Sequence, residues 1–287
     1  MIVNSADEIT VVIVTYNSAH CLPSLSRSLS KLKNIIFVDN ASEDKTLESI
    51  NLFLPQAKII SLKKNLGFGA ANNQALKLVK TSYALLLNPD CEPKENFFSN
   101  LIISANKFID AAIIAPHLIS RDGVTEINYR WPVTYWKSKG DKADGPCCVG
   151  FVCGAVMLIK LSEMQDIGFF DEEFFLYYED DDLCQRVFID KKQIILDPNL
   201  EVIHYSRGSV KGGNPLKHEF IRGFHHAQSK LLFEKKYFGE SRYQKLKWKT
   251  LILAILNLTP RIVIPYPRYL ARLAGRIIGL ITSKKIN

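Results

Sequence analysis

Beyond Glu240 the chain contains no acidic residue. Residues 241–287 carry 10 Lys and Arg, a net +10, whereas residues 1–240 hold 27 Lys and Arg against 29 acids, a net −2. The total of +8 on 287 residues therefore describes a near-neutral body with a basic end, which disfavours a nucleic-acid binder charged over its whole surface. No run of about 18 uncharged apolar residues occurs, and the nearest candidates, 146–159 and 250–260, are too short for a spanning helix. The start, MIVNSADEIT, has neither a basic n-region nor an apolar run, so no signal peptide is expected. Six cysteines (Cys21, Cys91, Cys147, Cys148, Cys153, Cys184) show no C-x-x-C spacing. That weakens zinc and thioredoxin-like readings and leaves free thiols in a reducing compartment as the expectation. There is no internal repeat and no low-complexity linker. Composition is globular, with 47% hydrophobic and 23% charged residues, which excludes disorder and fibrous repeats. The length allows one large domain or two small ones and is ample for a buried core.

What is present is a succession of apolar runs rich in β-branched residues. Residues 9–14 (ITVVIV), 35–38 (IIFV), 57–62 (AKIISL), 83–87 (YALLL) and 111–115 (AAIIA) read as strands buried on both faces, as in a parallel sheet. Helices are expected between them at 43–54, with Ser42 as N-cap, and at 70–80 and 94–108. Strand–helix alternation of this kind predicts an α/β fold with right-handed crossovers. The second half is less regular. A loop-rich stretch with Tyr129, Trp131 and Trp136 leads to an apolar segment at 149–159 and a short helix near 162–167. Strands at 193–196 and 201–204 and a longer helix at 216–238 follow.

Several strands end in polar residues, and in open α/β sheets ligands sit beyond the carboxyl ends of the strands. Asp39 opens Asp39-Asn40-Ala41-Ser42; it suits either a base imide or ribose hydroxyl, or a turn. Residues 65–73 (NLGFGAANN) form a glycine-containing turn before a helix, which lets backbone approach a phosphate or sugar, or simply turns the chain. It lacks the Gly-Lys-Ser/Thr of a Walker loop. Asp90, in Asn88-Pro89-Asp90, can hold a hard divalent cation or sit in an ordinary turn. Glu179-Asp180-Asp181-Asp182 follows the aromatic stretch 174–178. Crowded carboxylates beside an aromatic wall have raised pKa values suited to a general base, yet four acids also suit a solvated helix start. An i,i+4 pair of Asp182 with Arg186 is one bland alternative. His204 ends a strand and is either a metal ligand or structural; the neighbouring Arg207 and the Gly208-Ser209 turn suit a phosphate loop.

Taken in order, these segments resemble inverting glycosyltransferases of family 2 with the GT-A fold. The matching residues are Val14-Thr15-Tyr16-Asn17-Ser18, Val38-Asp39-Asn40-Ala41-Ser42, Asn65-x-Gly67-Phe68-Gly69 and Asn88-Pro89-Asp90. Gly168-Phe169-Phe170-Asp171-Glu172, Glu179-Asp180-Asp181-Asp182-Leu183 and His204 complete the set, over roughly residues 9–210. The resemblance implies a mostly parallel, Rossmann-like sheet flanked by helices, with a C-terminal helical extension. It implies a transferase domain over 1–240, followed by a basic amphipathic helical tail over 241–287. Thr15, Tyr16, Asn17 and Asp39 would hold the nucleoside. Asn65, Gly69 and Asn72 would line the donor pocket, with Asn88, Gly154 and Glu179 also at the donor. Asp90 matches the last acid of the family's D-x-D and, with His204, would hold Mg2+ or Mn2+. Asn88 stands where the family has the first acid. Asp180 matches the catalytic base. Within the family the chain looks most like bacterial rhamnosyltransferases. The implied donor is dTDP-rhamnose and the acceptor a glycan or lipid-linked glycan in surface polysaccharide synthesis. A galactofuranosyl or UDP-hexose transferase and a catalytically silent sugar-nucleotide binder are the alternatives. No nucleic-acid partner is implied.

In the tail, Arg268, Arg272 and Arg276 share one helical face, and Leu270, Leu273, Ala274, Ile277 and Leu280 occupy another. Such a helix either lies on an anionic membrane surface or packs on the body or in an oligomer interface. The expected location is the cytoplasm, with a peripheral position at the inner face of the cytoplasmic membrane as the form the tail suggests.

Overall fold

The structure, a computed structural model, describes residues 5–131, 142–206, 208–263 and 266–282; Trp136 and Arg207 lie outside them. The chain divides into two compact units, Met1–Phe170 with Leu183–Lys211, and Asp171–Asp182 with Gly212–Asn287.

The first unit opens with β1 (Ile9–Thr15), α1 (Leu22–Leu29), β2 (Ile35–Asp39), α2 (Thr46–Phe53), β3 (Lys58–Ser61), α3 (Phe68–Leu76) and β4 (Tyr83–Leu87). It continues through β5 (Cys91–Pro93), α4 (Phe97–Lys107), β6 (Ala111–Ile119), β7 (Thr125–Glu126), β8 (Tyr129–Arg130), β9 (Cys147–Cys148), β10 (Phe151–Val152) and β11 (Val156–Lys160). Helix α5 (Glu179–Ile189), which falls in this unit from Leu183 on, and strand β12 (Gln193–His204) follow. Among the described residues ten strands form one sheet, in the order β3-β2-β1-β4-β11-β6-β12-β5, with β7 on β6 and β9 on β12. β1, β2, β3 and β4 run parallel, and so do β6 and β12; β11 runs antiparallel between β4 and β6. The expected mostly parallel α/β sheet is what forms.

The unbroken apolar runs have a direct cause, since both faces of the central strands are buried. Val11 and Ile13 of β1 enter one core with Leu85 and Leu87, whereas Val12 enters the other with Ala84 and Leu86. β3 departs from that expectation: it is the edge strand, with Lys58 and Ser61 exposed and Ile59 and Ile60 only half-buried. Ser42 does not cap α2. Its hydroxyl and amide turn back to Asp39, and Asp44 Oδ1 accepts from the Thr46 amide at 3.0 Å instead. The two strands expected at 193–196 and 201–204 are one, β12, with a register shift between Asp197 and Glu201. There the buried Asp197 accepts from Ser104 Oγ at 2.6 Å and from the Asn199 amide at 3.0 Å, so a turn-like sequence is absorbed as an irregularity within the strand.

In the second unit α6 (Pro215–Val263) is broken at Gly239, whose φ of 80° and ψ of 175° lie outside helical space. The helix expected to end at 238 therefore has a second half. α7 (Pro267–Ile281) buries Leu273 and Leu280. Its Gly275 lies against the Phe220 carbonyl so closely that a Cβ would stand 2.0 Å from that oxygen. Arg272 Nη2 pairs with Glu219 at 2.5 Å. The apolar face of the tail helix is thus packed on α6, the second of the two alternatives its sequence allowed. Gly275→Ala is expected to destabilise this helix pair by about 1–3 kcal/mol, the usual penalty of overpacking, read as a lower midpoint in urea unfolding. Among the described residues no helix is long and apolar enough to cross a membrane.

Candidate active site

Parallel pairing brings the carboxyl ends of β1, β2, β4 and β12 to one edge of the sheet. Thr15 and Asp39 are opposite one another in register. The buried Asp39 carboxylate accepts from Thr15 Oγ1 at 3.2 Å and from the Ser42 amide at 3.0 Å. Asn17, at a left-handed φ of 51°, donates its amide to Ser42 Oγ, and its Oδ1 accepts from the Glu43 amide at 2.8 Å. Tyr16 is half-buried, its amide on Ser18 Oγ. These bonds stitch the loop after β1 to the loop after β2.

Asn40, which the sequence marked only as part of a motif, reaches across to the third segment. Its Nδ2 donates to Asn65 Oδ1 at 2.9 Å and its Oδ1 accepts from the Leu66 amide at 2.8 Å. Gly67, at φ 90°, takes the backbone into α3, where Gly69 and Asn72 are buried. Asn72 Nδ2 donates to the Phe68 carbonyl, and Asn73 exchanges two bonds with the backbone of Phe170. Asn88 follows β4, and its amide donates to the Ala155 carbonyl at 2.8 Å, which holds the buried Gly154 turn near it.

Asp90 is buried, and its two oxygens differ. Oδ2 accepts from the Gly208 and Ser209 amides, each at 3.0 Å; Oδ1 is buried with no hydrogen-bond partner. His204 stands opposite because β5 pairs antiparallel with the end of β12, setting Cys91 across from His204. Its Nε2 is 4.0 Å from Asp90 Oδ1, too far for a hydrogen bond. Its Nδ1 lies 3.4 Å from Glu126 Oε2 and 3.2 Å from Ser206 Oγ. A carboxylate behind one ring nitrogen fixes the tautomer that leaves the other lone pair free for a cation. Asp90, Cys91 and His204 form a cluster whose donor atoms lie within 4.8 Å of one another. Burial, aided by the Asp90 charge, pushes the Cys91 thiol well up, and its Sγ reaches the Ala155 carbonyl, so a neutral thiol faces the cluster. That leaves Asp90 and His204 as the pair fitted to a cation, with the orphaned Oδ1 as its clearest mark. Glu126 escaped the sequence reading because nothing local marks it; it is brought in by pairing of β7 with β6. The segment after His204 is a strap: besides its amides on Asp90, Gly208 O lies 2.6 Å from His20 Nε2 and the Lys211 amide donates to Asn17 O.

Glu179 and Asp180 belong to the second unit. Tyr177 and Tyr178, both at left-handed φ (69° and 68°), turn the chain into α5; each such residue costs about 1–3 kcal/mol. Their rings lie 5.5 and 5.6 Å from that of His226, and Phe174 is fully buried against Phe233. Asp182, also buried, pairs with Lys236 at 2.7 Å and accepts from Tyr237 Oη at 2.7 Å. Arg186 donates to the carbonyls of Ile167, Gly168 and Phe169. Asp180 Oδ1 accepts from the Asp181 amide at 3.0 Å. Glu179 is buried, its Oε2 without a partner; burial pushes its carboxyl well up, and the charges of Asp180 and Asp181 push the same way.

The sequence pattern of glycosyl transferase family 2 matches residues 10–163, more than half of the chain. The chain belongs to this family. As a family 2 enzyme it is a glycosyltransferase, and its sheet is that of the GT-A fold. One relative is the N-acetylglucosaminyl-diphospho-decaprenol L-rhamnosyltransferase of Mycobacterium tuberculosis, 23% identical over 279 residues, 84% of this chain and 89% of that one. Among solved structures, the mannosyltransferase PcManGT from Pyrobaculum calidifontis in complex with GDP-Man and Mn2+ superposes with a TM-score of 0.56 at 12% identity, over 99% of this chain and 90% of that one. S. aureus TarS 1-349 in complex with UDP gives 0.56 at 17%, over 84% and 75%. At such identities the two structures speak for the family 2 fold alone.

Proposed function

We propose that this family 2 enzyme transfers a sugar, L-rhamnose from dTDP-rhamnose, with inversion, to a glycan or lipid-linked glycan acceptor in surface polysaccharide synthesis. The observation that carries the transfer chemistry is the buried, unpartnered Asp90 Oδ1 facing a His204 whose other nitrogen is held by Glu126. An oxygen–imidazole pair suits Mn2+ better than Mg2+, which is held mainly through oxygen. A cation bound there would neutralise charge on the leaving diphosphate. Thr15, Tyr16, Asn17 and Asp39 hold the nucleoside in this reading, and Asn65, Gly69, Asn72, Asn88, Gly154 and Glu179 line the donor side. Asp180 takes the proton of the acceptor hydroxyl as that oxygen attacks the anomeric carbon and the nucleoside diphosphate leaves. A single displacement inverts the centre and needs no second carboxylate as nucleophile. The transferase domain of this reading spans 1–240, ending at the Gly239 break, with 241–287 as the basic tail. The choice of rhamnose is supported by the mycobacterial relative, which is named for that sugar and spans most of both chains. A UDP-sugar, galactofuranose or a hexose, is the second reading that the same site residues allow.

A thermal-shift panel of dTDP-rhamnose, UDP-galactofuranose, UDP-GlcNAc and GDP-mannose, each with and without Mn2+, separates these. Stabilisation of about 2.7 kcal/mol is expected for the true donor at a hundred times its Kd, and only with metal. A larger shift with a UDP-sugar would replace rhamnose; no shift with any donor would overturn the site. Glu126→Gln is expected to weaken Mn2+ binding roughly 10–100-fold, the usual effect of removing the group behind a ligating histidine, measured by calorimetric Mn2+ titration.

A further inference from the structure

His20 is a half-buried histidine to which the transfer chemistry gives no task. It lies in the short turn Ala19–Cys21 between β1 and α1. That turn is pinned on its near side, where the Ser18 amide donates to Thr46 Oγ1 at 2.8 Å and the Ala19 amide to Asp44 Oδ2 at 3.2 Å. His20 Nε2 stands 2.6 Å from the Gly208 carbonyl oxygen. A carbonyl cannot donate, so that ring nitrogen carries the proton and is the donor. It has no lone pair left for a cation, and among the described residues His20 lies outside the Asp90, Cys91 and His204 cluster. The Cys21 thiol converges on the same oxygen from 3.6 Å. Burial, aided by the Asp90 charge, pushes that thiol up to about 12, so it stays a neutral, weak donor.

The Gly208 carbonyl and the Ser209 amide belong to one peptide group. Its C=O accepts from His20, while its N–H donates to Asp90 Oδ2 at 3.0 Å; the Gly208 N–H gives Oδ2 a second bond at 3.0 Å. A donor on the carbonyl end of a peptide polarises its N–H, so the His20 bond strengthens the Ser209 bond to Asp90. Two amides on Oδ2 fix the rotation of the carboxylate, and that rotation sets the buried Oδ1 4.0 Å from His204 Nε2. Gly208 has little room to adjust: a Cβ there would stand 2.6 Å from the Tyr205 carbonyl oxygen and 3.1 Å from Asp90 Cβ. Each residue of the pair thus has a group behind it, Glu126 behind His204 and, through a peptide, His20 behind Asp90.

We propose that His20 is a positioning residue for the cation site: through the Gly208–Ser209 peptide it holds Asp90 Oδ2 and so orients Oδ1 toward His204. The inference rests on the reading of Asp90 and His204 as a cation pair. The turn bearing His20 follows directly on Thr15, Tyr16 and Asn17, and the Lys211 amide donates to Asn17 O at 3.3 Å. The nucleoside segment and the cation pair therefore share one hydrogen-bonded strap.

The test titrates Mn2+ alone into the full chain by calorimetry. His20→Phe keeps a ring and loses the donor; it is expected to bind Mn2+ roughly tenfold more weakly, the low end of the range for a group behind a metal ligand, because it acts through a peptide. His20→Gln places an amide N–H near the position of the Nε2 proton and should recover binding to within about threefold of wild type. Should His20→Phe melt early, Gly208→Ala carries the same test. Its Cβ forces the peptide away from the Tyr205 carbonyl with His20 intact, and Mn2+ binding should again fall about tenfold. Full Mn2+ affinity in His20→Phe, or in Gly208→Ala where that variant is needed, overturns the role of His20; if Asp90→Asn has lost binding, the cation pair itself stands. An equal loss in His20→Gln and His20→Phe also overturns it, since packing of the ring and not its donor would then matter. Wild-type binding that survives Asp90→Asn, or no binding by the wild-type chain, overturns the cation pair and this inference with it.

Discussion

Asp180→Asn is expected to slow sugar transfer by roughly 10²–10⁴, the usual contribution of a positioned general base. Asparagine keeps the oxygen that accepts from the Asp181 amide, so the start of α5 should stay intact and the melting temperature nearly unchanged. What is lost is the capacity to accept a proton. Donor binding, measured by titration calorimetry, should stay within a few-fold of wild type, because the missing step concerns the acceptor hydroxyl. Wild-type turnover by a folded Asp180→Asn would remove the base assignment. The neighbouring Glu179 gives an internal contrast. Its buried carboxyl is held toward the neutral form, so Glu179→Gln should preserve far more of the rate than Asp180→Asn does.

The second large effect is expected from Asp90→Asn. The amide oxygen can still accept from the Gly208 and Ser209 amides, but the replaced Oδ1 presents N–H groups toward His204 and repels a cation. A Lewis acid contributes several kcal/mol to such a reaction, and each 1.36 kcal/mol is tenfold in rate. The rate should therefore fall on the order of 10²-fold or more, and the remaining activity should no longer respond to Mn2+. The measurement is initial rate against Mn2+ concentration for both proteins. Parallel saturation curves would show that Asp90 holds the strap and no metal.

The legible part of the fold is that fixed by burial on two sides. β1, β2, β4 and β6 read directly from their runs because every position faces a core. β3 has the same kind of apolar run at an edge, where composition does not register the missing neighbour. β12 reads as two strands because Asp197-Pro198-Asn199 spells a turn, and only Ser104, 93 positions away, shows how the chain absorbs it. The site follows the same logic. Asp39, Asp90 and His204 sit at strand ends, which sequence can mark. Glu126 and the bridging side chain of Asn40 act through contacts 78 and about 25 positions away, which it cannot. The α7 face was legible as amphipathic, but its partner was not, since Gly275 and Gly279 accept another helix only once α6 is in place.

Asp90 commits one oxygen to a loop and keeps the other buried on the side of His204. If the proposed cation binds there, drift in that side chain would disturb loop anchoring and cation grip together, and neither property could be adjusted there alone. In that proposed site the freedom to retune affinity would lie one layer back, at Glu126 and Ser206, where a change would alter how strongly the His204 imidazole is oriented without unpinning any backbone.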